Sequence, residues 1–247
     1  MNINLADIST KPPGSYDKKE TKEALQKMIK QLDELQNLLY AEGKHSVLVI
    51  LQGLDASGKD GAIKNIFGQM NPQGVKVQSF KAPTPEELSH DFLWCIHKHT
   101  PAKGMIQIFN RSHYEDILIT RVHQIIDDET AYRRIESINS FERLLVEENN
   151  THILKIYLHV SQEEQLKRLQ ERIDDPKKHW KYNPADLKES KRWDDYMKVY
   201  SECFEKCNVV PWKIVPADEN RYKEFVMAEA LIELLSSLNM KYPELKD

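Results

Sequence analysis

The stretch GLDASGKDG, from Gly53 to Gly61, has the residue types and the spacing of a loop that binds phosphate. Its glycines and lysine fit the pattern Gly-x-x-x-x-Gly-Lys, which indicates a phosphate-binding loop when it follows a strand and opens a helix. There, backbone N–H groups and the helix N-terminus attract an anion, and Lys59 adds a movable positive charge. The alternative is a glycine-bearing turn without a ligand, but such a turn does not explain why a lysine and three glycines coincide.

Two acidic residues in this loop are unusual for a phosphate site. Asp60 occupies the position where the common loop has a Ser or Thr hydroxyl for magnesium, and Asp55 is an additional acid. Mg²⁺ prefers oxygen ligands, commonly one or two carboxylates with waters and phosphate oxygens. Asp55 is therefore predicted to replace the hydroxyl. The favoured interpretation of Asp60 is an anion that stabilises the helix dipole.

A second candidate stretch is IFNRSHYED, from Ile108 to Asp116, which follows a predicted strand. In open parallel sheets the ligand lies beyond the carboxyl ends of the strands. Arg111 would clamp phosphate through its two-pronged guanidinium group, and Asp116 would complete the metal site. Taken alone, Asn-Arg-Ser-His is more often a solvated turn, and nothing in the sequence makes His113 a base.

The most basic stretch is the segment 165–192, which we call the lid segment. It has nine Lys or Arg residues and five Asp or Glu residues, so it carries +4 while the rest of the chain carries −8. Arg168 and Arg172 lie four residues apart, hence on one helix face, and Pro176 ends that helix. A solvated charged face is the ordinary interpretation. Beside a phosphate loop, the segment is instead predicted to be a basic lid over a polyanion.

The elements that must position these residues alternate along the chain. Residues 1–16 read as an extended N-terminal segment, and 18–41 have the apolar spacing of an amphipathic helix that Gly43 ends. Helical stretches are predicted from near Lys59 and over 85–98, 129–148 and 184–207. Short apolar runs predict five strands, over 47–53, 75–80, 105–110, 153–160 and 212–217. The alternation predicts one α/β domain, 1–247, with a parallel sheet and helices on both faces.

Composition excludes several classes of protein. The chain has 247 residues, a net charge of −4 and three cysteines, which argues against a disulfide framework and for a reducing compartment. An acidic chain has no general attraction for nucleic acid or acidic membranes. The polar N-terminus and the lack of a run of about 20 apolar residues predict a cytoplasmic protein without membrane association.

At this point the chain resembles the family-2 polyphosphate kinases, from about Leu32 to Pro243. The matching segments are GLDASGKDG, NPQGVKVQSFKAPT, IFNRSHYED, KRLQERIDDPKKHWK and VVPWKIVPAD. The resemblance implies a three-layer P-loop kinase-like α/β fold with a five-stranded parallel sheet and a helical lid. It also implies phosphoryl transfer between inorganic polyphosphate and AMP or ADP with Mg²⁺, with adenine as the expected base and guanine as a further candidate. The family's habit predicts a homo-oligomer, dimer or tetramer.

The resemblance also assigns roles to single residues. Many members have Asp before the arginine of the third strand, whereas this chain has Asn110, which leaves Asp116 as the replacement. The implied catalytic residues are Asp55, Lys59, Arg111, Asp116, Arg168 and Arg172, with Asp55 and Asp116 as metal ligands. The predicted phosphate contacts are Gly53, Ala56, Ser57, Gly58, Lys59, Asp60, Gly61 and Lys64. The predicted nucleotide or polyphosphate contacts are Lys81, Asn110, Arg111, His113, Tyr114, Glu115, Arg121 and Lys181.

Two rival functions remain open at this point. An ATP-dependent nucleoside monophosphate kinase would share the fold, the lid and the arginines, although the missing hydroxyl after Lys59 counts against it. A regulator that binds nucleotide without turnover would not need Lys59, Arg111 and both candidate acids intact. Because phosphoryl transfer runs through a loose, in-line transition state, the predicted kinase needs alignment and charge neutralisation and no general base.

Overall fold

The computed structural model describes residues 3–245 and contains a five-stranded parallel sheet. Its strands are β1 (Ser46–Gln52), β2 (Val75–Ser79), β3 (Ile106–Asn110), β4 (Thr151–His159) and β5 (Trp212–Pro216). Their order in the sheet is β2-β3-β1-β4-β5, and every neighbouring pair is parallel. The predicted sheet is therefore confirmed.

The central strand β1 fixes where the site lies. All seven of its residues are buried, as its unbroken apolar run predicts. Leu51 of β1 is in register with Asn110 of β3, and Gln52 is in register with Tyr157 of β4. The loop after β1 and the turn after β3 therefore leave the sheet side by side.

Helices cover the sheet. They are α1 (Lys18–Glu42), α2 (Lys59–Ile66), α3 (Pro85–Leu88), α4 (Trp94–His97), α5 (Ile119–Val122), α6 (Asp128–Asn149), α7 (Gln162–Asp174), α8 (Pro184–Glu189), α9 (Trp193–Lys206) and α10 (Asn220–Ser237). The first helix matches its predicted range, 18–41, to within one residue, because Asp17 accepts hydrogen bonds from two N–H groups of its first turn and Gly43 ends it in the left-handed conformation. α1 packs along α10.

Two predicted long helices are interrupted. The stretch 85–98 forms only the single turns α3 and α4, because the Asp91 side chain accepts a hydrogen bond from the Leu93 N–H at 2.9 Å and so starts a new turn. The stretch 184–207 is divided by a 3₁₀ turn, Ser190–Arg192, between α8 and α9. Helical composition predicted the elements but not these breaks.

The N-terminal segment differs from the predicted extended lead-in. It contains a 3₁₀ turn, Leu5–Asp7, and Leu5 is buried. The Leu5 carbonyl oxygen lies 3.1 Å from His159 Nε2 at the end of β4, and Thr10 Oγ1 donates to Asp218 Oδ2 at 2.7 Å. The segment thus packs on the carboxyl ends of β4 and β5. No helix between residues 3 and 245 is long and apolar enough to cross a membrane.

Candidate active site

The loop between β1 and α2 has the backbone geometry of an anion nest. Gly53 and Gly58 have φ angles of 150° and 95°, and Ala56 adopts the left-handed region at 62°, which is costly for a residue with a Cβ. A Cβ on Gly53 would lie 2.8 Å from Ser57 Oγ, so only glycine fits there. Because α2 begins at Lys59, its first N–H groups have no partners within the helix and face the loop.

Lys59 lies inside the loop rather than on its surface. Its side chain is 8% exposed, and Nζ donates to the carbonyl oxygens of Gly53 at 2.6 Å and Leu54 at 3.1 Å. Burial, and then the positive charge of Arg111, lower the pKa of Lys59 to about 8. The ammonium group is therefore held where a phosphate oxygen would compete with the loop carbonyls for it.

Arg111 pairs with Asp55 across the opening of the loop, through Nη2 and Oδ1. Its backbone has φ 61°, and its N–H donates to the Leu51 carbonyl oxygen at 3.1 Å. A non-glycine residue in this strained conformation directly after a strand indicates a functional constraint. Asp55 and Arg111 therefore meet as their sequence positions predicted.

Of the two adjacent acids after β3, the structure turns Glu115 and not Asp116 into the site. Both lie in a 3₁₀ turn, His113–Asp116, and Glu115 lines the same cleft as Asp55 and Arg111. Burial and the Asp55 carboxylate raise the pKa of Glu115, whereas Arg111 lowers it. With the Gln52 amide oriented so that both of its ends find partners, Nε2 donates to Glu115 Oε1 at 2.9 Å.

Asp116 faces a different side of the turn. Its Oδ1 atom lies 3.6 Å from Arg134 Nη1, and burial raises its pKa to about 6. It is not among the residues that line the cleft of Asp55. The structure therefore does not bring Asp116 to Asp55, and Glu115 lies where Asp116 was expected.

Aromatic side chains of α9 form one wall of the cleft. Trp193, Tyr196 and Tyr200 lie opposite the phosphate-binding loop. Two buried polar atoms in this lining, Trp193 Nε1 and Gln165 Oε1, have no hydrogen-bond partner in the described part of the chain. The space that a water-sized molecule can occupy is about 40 Å³, enough for a few waters at most. A nucleoside would enter only after the wall or the lid segment moves.

Arg168 makes its contacts within the protein, and its predicted grip on polyphosphate stays a prediction. Its Nε donates to Glu164 Oε1 at 2.8 Å, and its two terminal nitrogens donate to four carbonyl oxygens, those of Ala56, Ser57, Ala217 and Asp218 at 2.8–3.2 Å. A guanidinium group has five N–H donors, and here all five are used within the protein. Arg168 therefore joins the lid helix α7 to the back of the loop.

Arg172 and Lys181 of the lid segment make contacts that differ from those of Arg168. Arg172 Nη1 donates to Asp186 Oδ2 at 2.6 Å and to the Lys181 carbonyl oxygen at 3.3 Å. Lys181 Nζ lies 3.8 Å from Asp60 Oδ2. Asp60 also accepts a hydrogen bond from Asn110 Nδ2 at 2.9 Å, so Asp60 connects the loop to the lid segment and to β3.

Three predicted contacts lie away from the cleft. His113 and Tyr114 are completely buried, and the Tyr114 hydroxyl bonds to Glu142 and Lys155 in the core. Arg121 pairs with Glu202 and Asp128 in a separate surface groove. The structure does not bring these residues to the cleft, and their contact with nucleotide or polyphosphate stays a prediction. Lys64 on α2 and Lys81 after β2 are exposed and remain predictions.

Sequence reasoning missed two residues that the structure places at the loop. Gln165 Nε2 donates to the Asp55 carbonyl oxygen at 3.1 Å, and Lys223 Nζ donates to the carbonyl oxygens of Ser57 and Gly58. Both act on backbone atoms, which carry no residue pattern. Their signal in the sequence is weak, since Gln165 is one of many polar residues on α7 and Lys223 lies 164 residues from Lys59.

A parallel sheet with a phosphate-binding loop after its central strand, crossed by a charged lid, defines a P-loop kinase fold. The chain matches the family described as Polyphosphate kinase 2 (PPK2) over residues 15–245. The chain belongs to this family.

Two relatives and one solved structure are similar to this chain over most of their lengths. The AMP/ADP-polyphosphate phosphotransferase of Meiothermus ruber is 45% identical, over 90% of this chain and 84% of the relative. The ADP-polyphosphate phosphotransferase of Rhodopseudomonas palustris is 41% identical, over 98% and 89%. The crystal structure of Polyphosphate Kinase 2 from Arthrobacter aurescens superposes with a TM-score of 0.96 at 43% identity, covering 99% of this chain and 89% of that one.

Proposed function

We propose that this chain transfers phosphoryl groups between inorganic polyphosphate and the nucleotides AMP and ADP. The observation that carries the proposal is the meeting of Asp55, Lys59, Arg111 and Glu115 at the phosphate-binding loop. The relatives named for AMP/ADP and ADP support the choice of acceptors. An ATP-dependent nucleoside monophosphate kinase has no such support.

The cleft beside the loop is the proposed site of the acceptor nucleotide. Its aromatic wall offers flat apolar surfaces to a base, and the unpaired atoms Trp193 Nε1 and Gln165 Oε1 offer one donor and one acceptor. Buried polar atoms without partners cost free energy unless a ligand or water satisfies them. A purine edge, which carries both donors and acceptors, fits that pair.

Mg²⁺ is the proposed cofactor, and Asp55 and Glu115 would hold it. Between residues 3 and 245 no three His, Cys, Asp or Glu side chains are arranged as a metal cage. Mg²⁺ does not need such a cage, because it commonly binds one or two carboxylates and takes its other oxygens from phosphate and water. Asp55 and Glu115 are neighbouring carboxylates that repel each other, and the pKa of Glu115 is raised. A divalent cation bound between them would offset this repulsion. When bound, it would neutralise charge on the transferred phosphoryl group.

The protein's own residues orient and neutralise the phosphates. The nest of N–H groups at the start of α2 holds the phosphate chain, and Lys59 exchanges its loop carbonyls for phosphate oxygens. Arg111, which spans the opening, provides two parallel donors for a phosphate. The phosphate group of AMP or ADP is ionised at neutral pH, so no residue has to remove a proton. Closure over the cleft excludes water, which would otherwise act as a competing acceptor.

Phosphorus NMR of the purified protein with polyphosphate and Mg²⁺ tests the proposal. We expect ADP to be converted to ATP and AMP to be converted to ADP while polyphosphate is consumed, without added ATP. Loss of both reactions on chelation of Mg²⁺ is also expected. No consumption of polyphosphate with either acceptor, together with rapid reaction of ATP and AMP, would establish the ATP-dependent kinase instead.

A further inference from the structure

A buried cation lies behind the phosphate-binding loop, on the last helix of the fold. Lys223 of α10 is 1% exposed. Its Nζ atom lies 3.4 Å from the Ser57 carbonyl oxygen, 3.2 Å from the Gly58 carbonyl oxygen and 2.9 Å from Asn220 Oδ1. Its hydrogen-bond acceptors are thus neutral oxygens, so the ammonium group is placed here to hold backbone rather than to form an ion pair.

Arg168 reaches the same part of the loop from α7. Its Nη1 atom lies 3.1 Å from the Ala56 carbonyl oxygen and 3.2 Å from that of Ser57. Three consecutive carbonyl groups, from residue 56 to residue 58, therefore point at two cations that belong to different helices. The preceding carbonyl groups are held differently, those of Gly53 and Leu54 by Lys59 within the loop and that of Asp55 by the neutral amide of Gln165.

The direction of a carbonyl group fixes the direction of the next N–H group. In a trans peptide the two point to opposite sides of the chain. With the carbonyl groups of Ser57 and Gly58 turned toward Lys223, the N–H groups of Gly58 and Lys59 are turned away from it. These N–H groups belong to the nest at the start of α2, which faces the substrate phosphates.

We propose that Lys223, together with Arg168, is a positioning residue for phosphoryl transfer. It holds the carbonyl oxygens of the loop on the far side, so that the N–H groups stay directed at the phosphates. Without this cation the Ser57 carbonyl group keeps only its hydrogen bond from Arg168, and the Gly58 carbonyl group keeps only the one from the Ala62 N–H. The two peptide planes are then less restrained, and a plane that rotates presents a carbonyl oxygen, which repels phosphate. The proposal deepens the proposed function and rests on it, because it concerns the same loop.

Gly58 shows that this contact constrains the sequence of the loop. A Cβ at Gly58 would lie 2.1 Å from Lys223 Nζ, which no side chain tolerates without displacing the ammonium group. Two observations therefore favour glycine at position 58. Lys223 Nζ occupies the space of a Cβ, and the φ angle of 95° is costly for other residues. Burial, and then the charge of Arg168, lower the pKa of Lys223 to about 8, which agrees with two cations sharing one row of carbonyls.

The test compares Lys223→Met with Lys206→Met, a matched control whose lysine pairs with Glu202 on the surface of α9. Binding of tripolyphosphate with Mg²⁺ and no nucleotide is measured by calorimetry, and kcat and KM are measured at a temperature where circular dichroism shows each variant folded. Hydrogen bonds from a charged donor contribute about 10- to 100-fold in affinity. We expect a loss of that size in tripolyphosphate affinity and in kcat for Lys223→Met, and changes within twofold for the control.

A purely structural lysine would give another pattern. In that case Lys223→Met lowers the melting temperature but leaves affinity and kcat within twofold of the parent, and the proposal is overturned. Should Lys223→Met fail to fold, Asn220→Ala decides, since it removes one acceptor of the ammonium group at an exposed position. We expect it to weaken tripolyphosphate binding severalfold, and unchanged binding would refute the positioning role. Failure of the unaltered protein to phosphorylate AMP or ADP would count against the proposed function alone, since the binding comparison needs no acceptor.

Discussion

Replacing Lys155 by Met should destabilise this protein more than most single substitutions. Lys155 is completely buried on β4, and its Nζ donates to Tyr114 Oη at 2.8 Å, to Glu142 Oε2 at 2.8 Å and to the Cys207 carbonyl oxygen at 3.0 Å. Its removal leaves the carboxylate of Glu142, also completely buried, without its counter-charge. Removing one partner of a buried ion pair costs about 3–5 kcal/mol.

A double-mutant cycle separates this interaction from ordinary packing. We expect Lys155→Met to lower the free energy of unfolding by about 3–5 kcal/mol in urea titrations at fixed protein concentration. Glu142→Leu added to it should restore a large part of that loss, because replacing a whole buried pair by apolar residues is often nearly neutral. The exposed ion pair of Lys206 gives the control, for which a change below about 1 kcal/mol is expected.

The outcome that refutes this reasoning is additivity. If Lys155→Met costs less than about 1 kcal/mol, or if the two substitutions add without recovery, the pair is not a coupled buried unit. The result also bears on the site. Tyr114 precedes Glu115 in the same 3₁₀ turn, so the cluster is what fixes the turn that directs Glu115 into the cleft.

Three further outcomes follow from the site. Glu115→Gln should lower kcat by on the order of 100-fold or more and raise the Mg²⁺ requirement, whereas Asp116→Asn should change kcat severalfold at most; equal losses in steady-state assays would contradict the assignment of the cleft carboxylate. Gly61→Ala should raise the melting temperature, because a Cβ there meets nothing within 4 Å and the unfolded chain loses entropy. Gly58→Ala should lower it, because φ is 95°, and calorimetric scans of both variants check the contrast. Polyphosphate affinity should fall as pH rises through about 8, since Lys59 then loses its charge; affinity that is flat from pH 7 to 9 would show that Lys59 does not bind phosphate.

The strands were predictable because each is a short apolar run with β-branched residues between turn signals. All five appear within about two residues of their predicted bounds, and their parallel pairing follows from the alternation with helices. The loop was equally predictable, since Lys59 and its glycines must follow a strand to make a nest. The sequence could not decide which of two adjacent side chains points into the cleft. Glu115 and Asp116 are adjacent acids in a tight turn, and only the buried anchor of Tyr114 determines which of them enters the cleft.

The roles of Arg168 and Lys223 could not be predicted from the sequence for another reason. They donate to backbone carbonyl oxygens, which every residue has, so no sequence pattern predicts these contacts. Arg168 lies in a basic stretch that suggests an anion, and the structure instead satisfies all five of its donors within the protein.

Two parts of the lid segment are attached by contacts of different kinds, which respond differently to salt. Helix α7 is joined to the loop and to the end of β5 by part-buried hydrogen bonds from Arg168 and Gln165 to backbone oxygens. Further along, the segment meets the loop through Lys181 and Asp60, whose side chains are 35% and 65% exposed. Salt screens exposed charges and leaves buried hydrogen bonds almost unchanged. Rising ionic strength is therefore expected to weaken the contact between Lys181 and Asp60 while the contacts of Arg168 and Gln165 persist, so that the lid segment separates from the loop first at Lys181.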